Sequence, residues 1–391
     1  MRALVVAPQP FFTPRGTPLS VYYRTLVMTE LGVKADLLTY GEGQDVDIPG
    51  LTTVRIPRLR MLEPVKVGPS VTKVILDLIL AVWAIALMVR HRYDVVDAHE
   101  ESVFICRFLR PIFRFKLVYE MHSSLPRQLT TFRFTRSPFL IKLFESLERS
   151  SLRAADAVVT ISPSLARYAK AQMPDVSRHF LIENSIIDEV RLDSPDPSGR
   201  PEAYEEGLSL GKRPLVGYAG TFELYQGLGM LLESFRDVRK MQPGAALLLV
   251  GGTPEQVVQY QRQAKELGIE TDCVFTGRVE QSIARRHMAA ATVVTSPRVE
   301  GTSTPLKVYE QLAAGIPLVA TRIEAHTEVL DERHCWLCEP EAASLAEAIL
   351  AVLNDPEEAR RRADAGVRLY RERYSRSHYV EKMDRLLESL R

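Results

Sequence analysis

The chain has 391 residues, 46% hydrophobic and 25% charged, with 50 Lys and Arg against 49 Asp and Glu and a net charge of +1. This length exceeds one ordinary hydrophobic core and fits two domains, and the composition is that of a globular protein. The near-zero net charge excludes nucleic acid held by bulk electrostatic attraction.

Short apolar, β-rich runs alternate with helical stretches along the chain. The opening MRALVVAPQP lacks a cleavage-site pattern and predicts a first strand over 2–8 rather than a signal peptide. A helix over 19–31 and strands over 34–40, 93–99, 115–122 and 156–162 follow. Val71 to Val89 is strongly apolar, but Lys73 and Asp77 interrupt it, leaving twelve uncharged residues from Leu78 to Val89. That is short of the roughly 20 needed to span a bilayer and predicts a buried helix. A second series of strands is expected over 214–220, 245–252, 272–278, 291–297 and 316–321. Continuous apolar strands separated by helices indicate parallel sheets covered on both faces. Two such series predict two doubly wound domains, 1–190 and 191–372, joined through a Pro-, Asp- and Glu-rich stretch within 188–214.

Ligands of open parallel sheets bind beyond the carboxyl ends of the strands, so groups just after strands are the candidates. Gly16 lies in the first strand-to-helix turn, where backbone can approach a phosphate. His122 ends the fifth expected strand and can donate to a sugar hydroxyl or exchange a proton. The turn Gly220-Thr-Phe-Glu-Leu-Tyr-Gln-Gly227 opens the second domain, bringing Thr221 and Gln226 with it. Arg278 is expected to border a nucleotide base. Arg298 offers two donors to a phosphate, and Glu300 can accept from sugar hydroxyls.

The most specific segment is Ser296-Pro-Arg-Val-Glu-Gly-Thr-Ser-Thr-Pro-Leu-Lys-Val-Tyr-Glu310. Thr304 is the expected N-cap and Pro305 the first helical residue, which puts Lys307 third. A cation there opposes the helix dipole at a cost of about 0.3–1 kcal/mol, and a bound phosphate removes the conflict. The alternative is an ordinary Lys307–Glu310 pair one turn apart.

Other signals are weak. Cys335-Trp-Leu-Cys338 has no second CxxC and no His pair beside it, so the four cysteines read as reduced thiols. There is no P-loop, HExxH or G-x-S-x-G, and Asp45-Val-Asp47 reads as a solvated turn rather than a metal site.

With these residues in place, the chain resembles the family-4 retaining glycosyltransferases over nearly its whole length. The Gly16 loop, YDVVDAH, the His122 strand end, ESLERSSLRAADAVVTISPS, LIENSIID, YAGTFELYQG, LLLVGG, VFTGRV and the 296–321 block stand in that family's order. The resemblance implies a GT-B fold: two Rossmann-like domains facing across a cleft, with a C-terminal helix at 373–391 crossing back to the first. It implies a nucleotide-diphosphate sugar held mainly by the second domain, no metal and no cofactor. By the resemblance Glu310 binds the ribose, Glu300 lies near the transferred sugar, and the Gly16 amides and Lys307 hold the diphosphate. His122 sits beside the anomeric carbon, and Thr302, Ser303 and Thr304 belong to the donor turn.

Three departures stand out. Nine residues rather than seven separate Glu300 from Glu310, and Thr302 occupies the position eight before Glu310. Thr221 stands where the family often has Arg, and Gln226 where it has Lys. Lys307 and Arg298 are the expected replacements for those cations. The implied reaction is transfer with retention to a hydroxyl of a glycan or lipid-linked acceptor in polysaccharide or glycolipid synthesis. A nucleotide-sugar epimerase and a non-catalytic sugar-nucleotide binder are the competing readings. From Phe104 to Phe144, eight Lys or Arg and one acid, Glu120, are interleaved with Phe, which suits peripheral contact with an anionic membrane. The expected location is the cytoplasm, extending to the inner face of the membrane.

Overall fold

The structure, a computed structural model, describes residues 1–12, 16–59, 61, 65, 70–126, 129, 137–186, 213–301 and 304–391. The chain divides into two compact units, Met1–Asn184 with Tyr379–Arg391, and Ser185–His378.

The first unit carries a seven-stranded sheet in the order β3-β2-β1-β4-β5-β6-β7, and every pairing in it is parallel. The strands are β1 (Arg2–Ala7), β2 (Lys34–Thr39), β3 (Leu51–Arg55), β4 (Val95–His99), β5 (Lys116–Met121), β6 (Ala157–Thr160) and β7 (His179–Leu181). β1, β4, β5 and β6 are buried almost end to end, as their unbroken apolar sequences require. Edge strands β3 and β7 carry half-exposed and polar residues, and their sequences gave no strand signal. Helix α1 (Gly16–Glu30) packs near β2 and β3, and the helices Val71–Arg90 (α2), Ser102–Phe113 (α3) and Pro138–Ala154 (α4) share one core with Leu4, Val6, Leu38, Val96 and Leu117. The last helix, Arg376–Ser389, buries Met383, Leu386 and Leu387.

The apolar stretch at 71–89 corrects the expectation of a buried helix. Leu76, Leu80, Ala84, Leu87 and Met88 face the core, but Leu78, Val82 and Val89 are 64%, 58% and 72% exposed. A helix lying on a sheet buries one stripe, and this one is apolar on both.

The second unit has a six-stranded sheet, also parallel throughout, in the order β10-β9-β8-β11-β12-β13. Its strands are β8 (Leu215–Gly220), β9 (Ala246–Gly251), β10 (Cys273–Gly277), β11 (Val293–Ser296), β12 (Leu318–Thr321) and β13 (Trp336–Cys338). Chain order reverses between β8 and β11, so the loops after these neighbours splay apart at a switch point. In the first unit the reversal falls between β1 and β4.

Candidate active site

In the second unit the groups converge beyond β8 and β11. Gly220 ends β8 at φ 153°, and a Cβ there would lie 2.9 Å from the Tyr218 hydroxyl and 3.6 Å from Lys307 Nζ. Gly227 closes the turn at φ 74°, where a Cβ would collide with the Pro297 carbonyl at 1.9 Å. The two loops are thereby locked together, and the Val299 amide donates to the Tyr225 carbonyl at 2.9 Å.

Helix Leu306–Ala314 starts one residue later than its sequence implies. Pro305 is the N-cap, and among the described residues no side chain caps the helix. Thr304 therefore does not cap it, and its hydroxyl is buried without a partner among the described residues. Lys307 is the second helical residue, within the turn whose amides have no intrahelical acceptor.

Lys307 does not pair with Glu310. Its Nζ lies 4.2 Å from the centroid of the buried Tyr218 ring and donates to Gln226 Oε1 at 3.3 Å. Burial, and then the nearby Arg298, pull its pKa down to about 7. Among the described residues no carboxylate makes an ion pair with it. Glu310 instead takes Arg285 at 2.8 Å and Gln281 at 3.1 Å. The ordinary-helix alternative is thus excluded, and the ammonium is left with an aromatic face and one amide oxygen.

Around it, the Tyr218 hydroxyl donates to the Thr221 carbonyl at 2.7 Å, and Gln226 Nε2 reaches Thr221 Oγ1 at 3.5 Å. The Arg298 guanidinium lies over Tyr225 at 5.0 Å. Its carbonyl accepts from Thr321 Oγ1 at 2.5 Å. Below it, His326 is fully buried. Its Nδ1–H donates to the Thr321 carbonyl at 2.8 Å, leaving Nε2 to accept from Ser296 Oγ at 2.9 Å. Burial, with help from Lys307 and Arg298, lowers the His326 pKa to about 4, so it fixes the ends of β11 and β12 as a neutral group. Arg278 and Glu300 are exposed at the ends of their loops. Thr302 and Ser303 lie outside the described residues.

In the first unit, His122 follows β5 and is 6% exposed. Its Nε2 lies 2.9 Å from Nδ1 of His99, which ends the neighbouring β4, and the rings stack at 17°. Burial, then His99 and Arg24, push the His122 pKa well below its usual value. Burial opposes charge on His99 too, but Asp97, with Oδ2 at 3.7 Å, and then Glu120 outweigh it and raise its pKa. The consistent proton placement has His99 Nδ1–H donating to His122 Nε2. His122 Nδ1, buried and without a partner among the described residues, then carries an N–H available to a ligand. Glu120 pairs with the buried Arg24 at 2.8 Å, and Arg24 also donates to Met383 Sδ at 2.8 Å. Two carboxyl groups, Asp97 and Glu120, are thus enclosed with two basic groups, Arg24 and His99. His99, Glu120 and His122 also place ligand-type atoms within 4.8 Å of one another, but Arg24 already holds the carboxylate. Gly16 is the first residue of its helix; residues 13–15 of that turn lie outside the described residues. Of Asp45 and Asp47, Asp45 is 92% exposed and bound to Arg55, as a surface turn would be.

Residues 213–355 match the family Glycosyl transferases group 1, and residues 24–184 match the Glycosyl transferase 4-like domain. The chain belongs to the group 1 glycosyltransferases. One relative of this glycosyltransferase chain is a GDP-mannose-dependent alpha-(1-6)-phosphatidylinositol monomannoside mannosyltransferase of Mycolicibacterium smegmatis, 31% identical over 222 residues. The match covers 54% of this chain and 56% of that one, so the chain spans about half the length of such a relative. A phosphatidyl-myo-inositol mannosyltransferase of Mycobacterium leprae is 23% identical over 100% of this chain and 97% of its own. A sucrose-phosphate synthase structure from Thermosynechococcus elongatus superposes with a TM-score of 0.80 at 19% identity, covering 100% and 98% of the two chains. That likeness establishes the GT-B fold of this group 1 glycosyltransferase.

Sequence reasoning missed Tyr218, Arg285, His326, His99 and Arg24. His99 alone had a legible signal, as a second histidine ending an apolar strand.

Proposed function

We propose that this protein transfers a sugar, with retention of configuration, from a nucleotide-diphosphate sugar to a hydroxyl of a glycan or lipid-linked acceptor. One observation carries the reading: a buried amine, Lys307, without a carboxylate partner among the described residues, at the start of a helix and against the glycine turn after β8. Departure of a nucleoside diphosphate needs positive charge on its phosphates more than it needs a strong base. Lys307, the free amides of the helix start and Arg298 supply that charge, so the reaction is proposed to run without a metal. They stand in for the cations absent at Thr221 and Gln226.

Glu310, held by Arg285 and Gln281, is proposed to accept from the ribose hydroxyls, and Arg278 to flank the base. Glu300, with Thr302, Ser303 and Thr304, is assigned to the transferred sugar. The Gly16 amides are assigned to the diphosphate. The His122 Nδ1–H is proposed to donate to a sugar hydroxyl and orient the anomeric carbon. The leaving phosphate takes the acceptor's proton, which gives attack on the same face. The names of the mannosyltransferase relatives put GDP-mannose first among donors and an inositol glycolipid first among acceptors. The reading places the protein in the cytoplasm, working at the inner face of an anionic membrane.

The test is incubation with GDP-mannose and other nucleotide-diphosphate sugars, with and without glycolipid acceptors, followed by NMR of the anomeric centre. A new glycoside with the donor's configuration is expected. An inverted product, or a new nucleotide sugar formed without acceptor, would contradict it.

A further inference from the structure

Helix Val71–Arg90 is 20 residues long, which makes it about 30 Å from end to end. Val74, Leu78, Val82, Ile85 and Val89 follow one another at three- and four-residue steps along its outer face, each 40–72% exposed. The two charges inside the helix point the other way: Lys73 pairs with Glu101 at 2.5 Å, and Asp77 accepts from the Tyr40 hydroxyl. The outer stripe therefore has no charge from Val74 to Val89.

The neighbouring helices continue it. Ser102–Phe113 packs against both Val71–Arg90 and Pro138–Ala154, so the three form one layer over the first sheet. Phe108 and Ile112 are 62% and 69% exposed on the middle helix, and Phe139 is 75% exposed on the third. Exposed cations lie on these helices, at Arg90, Lys142, Arg149 and Arg153, and just past their ends, at Arg92 and Arg114, where one exposed acid, Asp94, accompanies them. Among the described residues, Glu145 is the only exposed acid on the three helices.

We infer that this three-helix face seats the protein on an anionic lipid bilayer, with Val71–Arg90 lying in the plane of the interface. Its inner stripe is built into the protein core and its charges are paired there, so this helix cannot leave the domain to cross a membrane. A large apolar face edged by cations is what an in-plane interfacial helix needs, with alkyl groups among the acyl chains and Lys and Arg among the headgroups. A second copy of the chain fits less well. A two-fold axis through this face would set the same cations against each other, whereas phosphate headgroups neutralise them. The inference rests on the lipid-borne acceptor for its purpose, but vesicle binding requires no turnover, so the two readings fail separately.

The test is flotation of the full chain with phosphatidylcholine vesicles, with and without phosphatidylglycerol. Wild type is expected to float with the anionic vesicles. The variant Val74→Glu/Leu78→Glu/Val82→Glu should lose at least about tenfold in bound fraction, while transfer to a soluble acceptor is unchanged. If that variant does not fold, Arg149→Gln/Arg153→Gln serves, with weaker flotation expected at the same melting temperature. Wild type that ignores both vesicle types, or variants that float as well as wild type, would overturn the inference. So would a wild-type dimer that the triple variant dissociates, with no vesicle binding by either.

Discussion

The Lys307 ammonium lies 4.2 Å from the centre of the Tyr218 ring, on a helix where Glu310, one turn on, is committed to Arg285. The sequence places an acid within easy reach of this lysine, and the fold withholds it. A buried cation kept from its neighbouring carboxylate destabilises the empty protein and stabilises an anionic complex.

The first prediction concerns the empty protein. Lys307→Met removes the desolvated charge and should melt at or above the wild-type temperature, while donor turnover falls by about a hundredfold or more. The folded pKa of about 7 lies below the ordinary 10.5, so the cost of charging Lys307 is fully present below pH 7 and is relieved as pH rises toward 10.5. The stability gained by the methionine variant should therefore be largest at and below pH 7 and vanish at high pH. Melting curves across this range check it, and a variant less stable than wild type at pH 6 would show that the ammonium is structurally satisfied.

Glu310 and Arg285 should matter for the nucleoside rather than for the phosphates. Glu310→Gln keeps the shape and removes the charge, and should weaken nucleoside diphosphate binding by about tenfold, the scale of one charge-assisted hydrogen bond. Inhibition by inorganic pyrophosphate should be unaffected. Equal losses for both ligands would remove the ribose assignment.

The first unit yields a stability prediction. Arg24 is 1% exposed and holds Glu120. Arg24→Met leaves Glu120 and Asp97 short of countercharge and should cost about 3–5 kcal/mol of folding stability. Adding Glu120→Gln should restore much of it. Denaturant titration of the single and double variants decides the matter, and a single variant as stable as wild type would show that the pair is dispensable.

His122 and His99 should separate in kinetics. His122→Ala removes the donor proposed for the sugar and should lower kcat by about a hundredfold. His99→Ala removes the N–H that fixes the His122 tautomer, together with the basic group facing Asp97, and its smaller loss should fall on kcat with little change in KM. Because burial holds His122 neutral, its titration should leave no step in the rate profile near pH 6.5. Such a step in wild type, absent from His122→Ala, would contradict the proton placement.

Much of this was legible in the sequence, for physical reasons. Parallel strands buried on both faces write themselves as apolar runs, so β1, β2, β4, β5, β6, β8, β9, β11 and β12 could be placed, and the partly buried edge strand β10 was apolar enough to be placed with them. Edge strands β3, β7 and β13 could not, because LTTVR is half polar and HFL and WLC are only three residues long. Lys307 stood out because it opposes the dipole of its own helix. Its environment was hidden, since Tyr218 and Arg285 come from other elements and sit in ordinary apolar or helical sequence. The apolar helix at 71–90 misled for the opposite reason: hydrophobicity reports what avoids water, and cannot say whether protein or something else covers it.

Lys307 is the residue proposed to meet the anion. The direct measurement is isothermal titration of a nucleoside diphosphate, GDP or UDP, into wild type and Lys307→Met at pH 7.5, in buffers of different ionisation enthalpy. With its pKa pulled down to about 7 by burial, Lys307 is only partly protonated near that pH, and an arriving diphosphate should draw a proton onto it. Wild type should show proton uptake that the methionine variant lacks, together with tighter binding. Binding of equal strength, with no difference in proton uptake between the two proteins, would contradict the claim.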